Sequence, residues 1–340
     1  MLEERKLKIL NLIVGDYIRI GAPIASEAIA RAHSVGVSSA TIRNDVAELE
    51  QEGYISRPHQ SAGSVPSDMG YRVYVETVAV TRVAHIPFDV RNEIRTRLAE
   101  VERDVDEWTS VAAAVLARFV GSLAIATFPK APESRVRHIE LVPLQDFLAL
   151  LIVIFEQTRM RRQLVRLSER VPPGELQAAA SRVNGKLQGL TYREIESREM
   201  RLSPLEDELV ATTVNMLSEE DRTDFRDHYL DGLRNLLDQP EFAEKAKVRA
   251  VVEGVEDGSL ARAILDEVPA TGVVRVVIGQ ENREDLLWPL SVVIGRYGIP
   301  GQADGALGAV GPVRMAYEKA IAGVGMVTEI MNDMVEVVRA

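Results

Sequence analysis

At 340 residues the chain is too long for one ordinary compact domain and long enough for two or three, each with its own core. An apolar share of 46% against 27% charged residues, with no low-complexity tract, is that of a chain that folds throughout. The absence of cysteine excludes disulfides, thiolate zinc sites and a cysteine nucleophile, and a formal charge of −11 excludes a general basic coat, so any nucleic-acid contact has to be local.

In chain order, Leu7, Leu10, Ile13, Val14 and Tyr17 recur at three- and four-residue steps, which predicts an amphipathic helix ending near Gly21 and Pro23. A short second helix is expected over 24–32, then a tight turn at 34–38 (SVGVS) in which Gly36 supplies a positive φ. Ser38 or Ser39 can N-cap a third helix whose Ile42, Val46 and Leu49 face the first two, with Gly53 as the residue just past its end. Turning at about 100° per residue, the opposite face carries Ala40, Asn44 and Ala47, flanked by Thr41 and Arg43. Two alanines permit close approach to a major groove, Arg43 can donate twice to guanine, and Asn44 can pair with adenine.

Residues 54–58 and 65–66 then read as two short strands about a turn at 61–64, a β-wing on or beside which Arg57, His59 and Arg72 would meet phosphates or the minor groove. The expected DNA-contacting set is Ser38, Ser39, Ala40, Thr41, Arg43 and Asn44 on the helix, with Arg57, His59, Ser61 and Arg72 at the wing. Residues 1–76 hold eight bases against ten acids, so binding has to lean on specific contacts and on dimerisation. A three-helix protein-interaction module would share this core pattern, and pattern alone leaves it open.

From Ile94 an apolar heptad runs through Leu98, Val101, Val105, Trp108, Ala112, Val115 and Phe119, predicting a long helix whose seam either pairs protomers or docks on a sheet. Strands are expected at 135–143, 147–155 and 161–167, the middle one buried on both faces because it is continuously apolar. A helix follows at 175–187, with further strands at 273–279 and 290–296 and a closing helix over 315–338. The segment 189–240 is richer in charge and reads as an insertion. The expected division is a winged helix-turn-helix at 1–76, a linker helix and sheet domain from 77–188 plus 241–340, and an inserted, mainly helical domain at 189–240, an α+β multidomain chain.

Convincing active-site chemistry is not found. The glycine-rich stretch 295–311 has neither G-x-G-x-x-G after a strand nor a Walker lysine, and is expected to be a tight loop before the closing helix. The five histidines lack H-x-x-x-H spacing, and the carboxylate runs suit solvated faces, so no catalytic residue, cofactor or metal site is assigned. The start (MLEERKLKIL) lacks a secretion signal and the longest apolar run, 147–155, is too short to span a bilayer, so no membrane partner and a cytoplasmic location are expected.

The segments SSATIRND at 38–45, Ala47-Glu48-Leu49-Glu50, Gly53-Tyr54-Ile55 and PHQSAG at 58–63 closely resemble the HrcA-type heat-inducible transcription repressors. So do GYRVYV at 70–75, IGQEN at 278–282, Gly305-Ala306-Leu307-Gly308, and Val310 to Met315 with Tyr317. The resemblance implies a GAF-like sheet domain carrying an inserted dimerising domain. It further implies a negative regulator of chaperone operons that binds an inverted-repeat (CIRCE-type) operator as a homodimer and is kept active by the GroEL-type chaperonin. The family's wing commonly reads S-A-G-R with a later lysine, so Ser64 and Met69 imply two lost phosphate contacts and a shallower salt dependence. Because GAF-like domains often bind small molecules, a ligand-sensing transcription factor is one alternative, and a nucleotide-dependent enzyme with a helical appendage is another of a different class.

Overall fold

The computed structural model describes all residues except 1, 33–36, 60–61, 80, 82–85, 101–104, 131–132, 157–159, 223–227, 270–273, 300–302 and 340. It forms two compact units, one of Met1–Pro129, Asp227–Ile299 and Gly305–Ala340, the other of Lys130–Arg226 with Pro300–Asp304.

The first unit begins with α1 (Glu4–Ile20), whose Ile9, Leu10, Ile13 and Val14 are buried and whose end is closed by Gly21 at φ 70. Helices α2 (Ser26–Ala32) and α3 (Ser39–Gln51) follow. Strands β1 (Ile55–Ser56) and β2 (Val65–Pro66) pair antiparallel as the wing. The sequence reading had Ile24 opening the second helix; Ile24 instead forms an antiparallel bridge with Ser64 beside the wing. Gly63 makes that approach possible, because a Cβ there would lie 2.5 Å from the Ile24 carbonyl carbon. Helix α4 (Asp68–Tyr74) is capped by Ser67, which accepts from Gly70 N–H at 3.2 Å and donates to the Gly53 carbonyl at 2.6 Å. A π-helical turn, Val75–Ala79, continues it.

The apolar heptad lies on α5 (Phe88–Glu100) and α6 (Val105–Val120). Ile94, Leu98, Trp108, Ala112 and Val115 are all buried in the core of this unit, so the described part of the seam docks intramolecularly. The core sheet runs β7-β3-β10-β9-β8, formed by β3 (Leu123–Thr127), β7 (His228–Asp231), β8 (Arg275–Ile278), β9 (Leu290–Ile299) and β10 (Ala303–Pro312). Its closing helix is the last of the chain, Tyr317–Arg339, and packs on both β9 and α6. The glycine-rich stretch is not the expected loop: its described glycines lie in two neighbouring strands, where Gly305 leaves room for the Tyr297 ring that a Cβ would meet at 2.6 Å.

The chain leaves this sheet after β3 and returns at β7, two paired neighbours, so the insertion covers 130–226 and not the expected 189–240: it starts earlier, and 227–240 belong to the first unit. It holds β4 (Val136–Gln145), β5 (Leu148–Phe155) and β6 (Met160–Arg166), which make their own antiparallel sheet in the order β4-β5-β6. These strands had been assigned to the sheet domain; apolar runs declare strands but not which sheet they join. Helices α7 (Pro173–Leu187), α8 (Tyr192–Glu196) and α9 (Pro204–Arg222) complete the insertion. Its core comes from one face of the sheet, Ala149, Leu151, Val153 and Phe155 with Val165, against Leu176, Val183, Leu209 and Leu217. Thus β5 is not buried on both faces as expected: Leu148, Leu150, Ile152 and Ile154 alternate onto an outer face and are only half-buried. Asn184 of α7 seals the edge of β4, accepting from Ile139 N–H at 2.7 Å and donating to its carbonyl at 2.6 Å.

In the first unit the return from β7 passes through α10 (Leu233–Leu237), α11 (Lys245–Glu256) and α12 (Ser259–Leu265) to β8, and the closing helix is accordingly α13.

Candidate nucleic-acid interface

Helix α3 starts where its chemistry says it should. Ser38, at φ −69 and ψ 155, accepts from Thr41 N–H at 3.2 Å, so Ser38 rather than Ser39 is the cap. The Thr41 hydroxyl lies 2.9 Å from the Ser38 hydroxyl and is half-buried, which ties Thr41 to the cap as well as to the face it flanks. Ile42, Val46 and Leu49 are buried against the other helices. Ser39, Ala40, Arg43, Asn44 and Ala47 are exposed on the other side. A row of small residues with one guanidinium and one carboxamide between them is a surface that a groove floor can approach closely.

Several bases of this module are held by its own acids. Arg43 reaches back to Glu27 of α2 at 2.5 Å, both side chains more than half exposed. Arg57 lies 3.3 Å from Glu50. Lys6 contacts Glu48 at 2.5 Å and Glu52 at 3.1 Å, which raises its ammonium above the ordinary lysine value. Arg5 donates twice to Asp45, at 2.8 and 3.1 Å, and Asp45 is 3% exposed, so this pair pins α1 to α3. Sequence reading gives no pairing role to Glu27 or Asp45; an acid three residues from a buried isoleucine looks like any solvated helix residue until its partner, 40 positions away, is seen.

Exposed pairs such as Arg43–Glu27 contribute only ~0–1 kcal/mol, so exchanging Glu27 for a base edge or a phosphate costs little. His59 is exposed at the wing, and Ser61 lies outside the described residues. Arg72 is placed differently from the expectation. It sits on α4, half-buried, donating to both carboxylate oxygens of Glu281 and to the Val276 carbonyl at 2.7 Å, so its guanidinium is turned into the protein. The two family departures also separate: Ser64 is 2% exposed with both backbone groups bonded to Ile24, whereas Met69 on α4 faces solvent. The expected loss of an outward contact at Ser64 is revised accordingly, because the backbone there points its side chain into the module.

Among the described residues no group of three or more His, Cys, Asp or Glu side chains is arranged to hold a metal ion, and no helix is long and apolar enough to cross a membrane.

A family model for a DeoR-like helix-turn-helix domain matches residues 30–68, and one for the HrcA protein C-terminal domain matches residues 106–321. A protein of Dehalococcoides mccartyi named heat-inducible transcription repressor HrcA is 37% identical over 335 residues, covering 98% of this chain and 96% of that one. A protein of Chloroflexus aurantiacus with the same name is 33% identical over 350 residues, covering 98% and 94%. A crystal structure of a hypothetical protein at 2.2 Å superposes with a TM-score of 0.67 at 21% identity, covering 99% of each chain, which establishes the common fold. With a helix-turn-helix of DeoR type at its N-terminus and relatives that match it from end to end, the chain belongs to the HrcA family of heat-inducible transcription repressors.

Proposed function

We propose that this repressor binds an inverted-repeat, CIRCE-type operator as a homodimer in the cytoplasm, silencing chaperone operons, and that the GroEL-type chaperonin keeps it active. The observation that carries the reading is the exposed face of α3, where Arg43 and Asn44 stand between small residues on a capped helix. The remaining site residues have supporting roles: Ser38, Ser39, Ala40 and Thr41 allow or fix the approach, while Arg57, His59 and Ser61 position the wing on phosphates. The five-stranded sheet with α6 and α13 upon it fits the GAF-like domain the family resemblance implies.

Residues 130–226 fit the inserted dimerising domain. Supporting this, the outer face of its sheet carries Leu148, Leu150, Ile152 and Ile154, and their register partners Leu164 and Met160 are 57% and 66% exposed. This apolar row along β5, extended by Leu164 and Met160 and interrupted on β6 by Arg162 and Arg166, is what a second copy would cover. Heating depletes the folded dimer because native stability is marginal, and chaperonin occupied by other unfolded chains delays its return.

The test is titration of a fluorescent inverted-repeat duplex, against a scrambled one, at two salt concentrations. Tight binding that requires both arms and weakens by about 1–3 kcal/mol in Arg43→Ala is expected. Equal, weak binding to both duplexes overturns the reading. In a companion assay, operator binding after a heat pulse should recover faster with chaperonin and ATP, and identical recovery without them counts against the chaperonin step.

A further inference from the structure

The segments GYRVYV, IGQEN and VRM with Tyr317 carry much of the family resemblance, yet no DNA contact uses them; in the structure they meet on the inward side of α4. Asp68, in the first turn of α4, accepts from Gln280 N–H at 2.8 Å. Gly279 passes beneath it at φ +51, so close that a Cβ would lie 2.2 Å from the Asp68 carboxylate. One turn along the same helix face, Arg72 donates to both oxygens of Glu281, at 2.8 Å through Nε, and to the Val276 carbonyl. Glu281 is itself fixed by Ile278 N–H at 2.9 Å.

Further attachments flank these. Tyr71, 3% exposed, packs on Tyr317 with ring centroids 6.0 Å apart, and the Tyr74 hydroxyl donates to Glu318. Arg314 grips Glu241 at 2.6 Å and the Ile18 carbonyl, in the last turn of α1, at 3.1 Å. Since α3 packs on α1, the helix that faces DNA is held through α1 and α4 to the sheet domain at several separate points. Fork-shaped, partly buried guanidinium–carboxylate contacts of this sort constrain direction as well as distance.

We propose that this seam is a latch fixing the angle of the winged module on the sheet domain, with Arg72 and Glu281 as positioning residues that set the spacing of the two α3 helices in the dimer. The inference rests on the two-arm, dimeric reading above. Two linked readers gain from each other only when the second is held where the second arm lies, and a reader free to swivel spreads over many spacings and loses that gain.

The test uses the full chain as wild type, Arg72→Ala and Glu281→Gln, with dimer and fold checked by sedimentation and circular dichroism. Each is titrated against a single-arm duplex and against two-arm duplexes whose arm separation changes one base pair at a time. The latch predicts wild-type preference for one separation. Both variants should keep single-arm affinity within about twofold, lose roughly 5- to 100-fold on the best two-arm duplex, and bind the other separations more evenly. If Arg72→Ala does not fold, the isosteric Glu281→Gln gives the answer alone. Equal weakening on single-arm and two-arm duplexes by Arg72→Ala, with Glu281→Gln unchanged, assigns Arg72 to phosphate and overturns the latch, as does an unaltered separation preference in both variants. Wild type indifferent to the second arm overturns the dimeric reading and the latch with it, and shows before any variant is made.

Discussion

Arg43 and Arg72 belong to the same winged module and each is paired with a glutamate, but the two pairs stand on opposite sides of it. Arg43 meets Glu27 with both side chains largely in water. Arg72 meets Glu281 with both about two-thirds covered, adds the Val276 carbonyl, and has its guanidinium held above the ordinary arginine value by that carboxylate. An ion pair in water is cheap to exchange, whereas one that is half-desolvated and bonded at several atoms is costly to open. The outward side of the reader is therefore built to change partners and the inward side to keep them.

The largest effect that would break this contrast is at Tyr71. Its ring is buried against Tyr317, so Tyr71→Ala should lower unfolding stability by about 3–5 kcal/mol in urea titration, and a loss below about 1 kcal/mol would show that the inward side is not packed as core.

The insertion sharpens the comparison with a covered acid of its own. Glu206, bound to Arg182 at 2.5 Å and Lys186 at 3.1 Å, has its carboxyl lowered from 4.5 to about 2, first through the Arg182 hydrogen bond. A lowered folded value means its contribution is present above pH 4.5 and is lost as pH falls from there through about 2. Glu206→Gln should flatten acid unfolding across that window, and an unchanged acid transition would count against the pair.

A smaller change is expected on the solvent-facing side of α4. Met69→Lys offers one new phosphate contact, so the slope of log affinity against log salt should steepen by about one unit, measured on the same operator duplex. A slope that does not move would place residue 69 away from the DNA. The smallest effect belongs to Glu27→Ala, which should lower the stability read from thermal unfolding by no more than about 0.5–1 kcal/mol while leaving operator affinity equal or slightly tighter. A large destabilisation would mean that the Arg43–Glu27 pair is structural after all.

Much of the winged module was legible because its signals are local. The three-to-four spacing of Leu10, Ile13 and Val14, the hydroxyl of Ser38 at the start of α3, and the exposed set around Arg43 all follow from residues within a turn or two of one another. The extent of the insertion was not legible in the same way. Residues 135–167 announce three strands, but an antiparallel run satisfies its hydrogen bonds equally in the main sheet or in one of its own, and β3, five buried residues in LAIAT, was too short to register as the strand they leave from. The glycines of 295–311 were read as a loop because nothing near them in sequence reveals the Tyr297 ring that needs the space.

By itself, then, the sequence determined the elements whose causes lie within about ten residues: the amphipathic helices, the cap, the wing and the face α3 turns outward, together with the cysteine-free chemistry that rules out thiol sites. Tertiary structure alone decided which strands share a sheet and which arginine is committed. Glu281 stands 209 positions from Arg72, and periodicity carries no information over that distance, because the cost of closing such a loop is nearly the same for every competing partner.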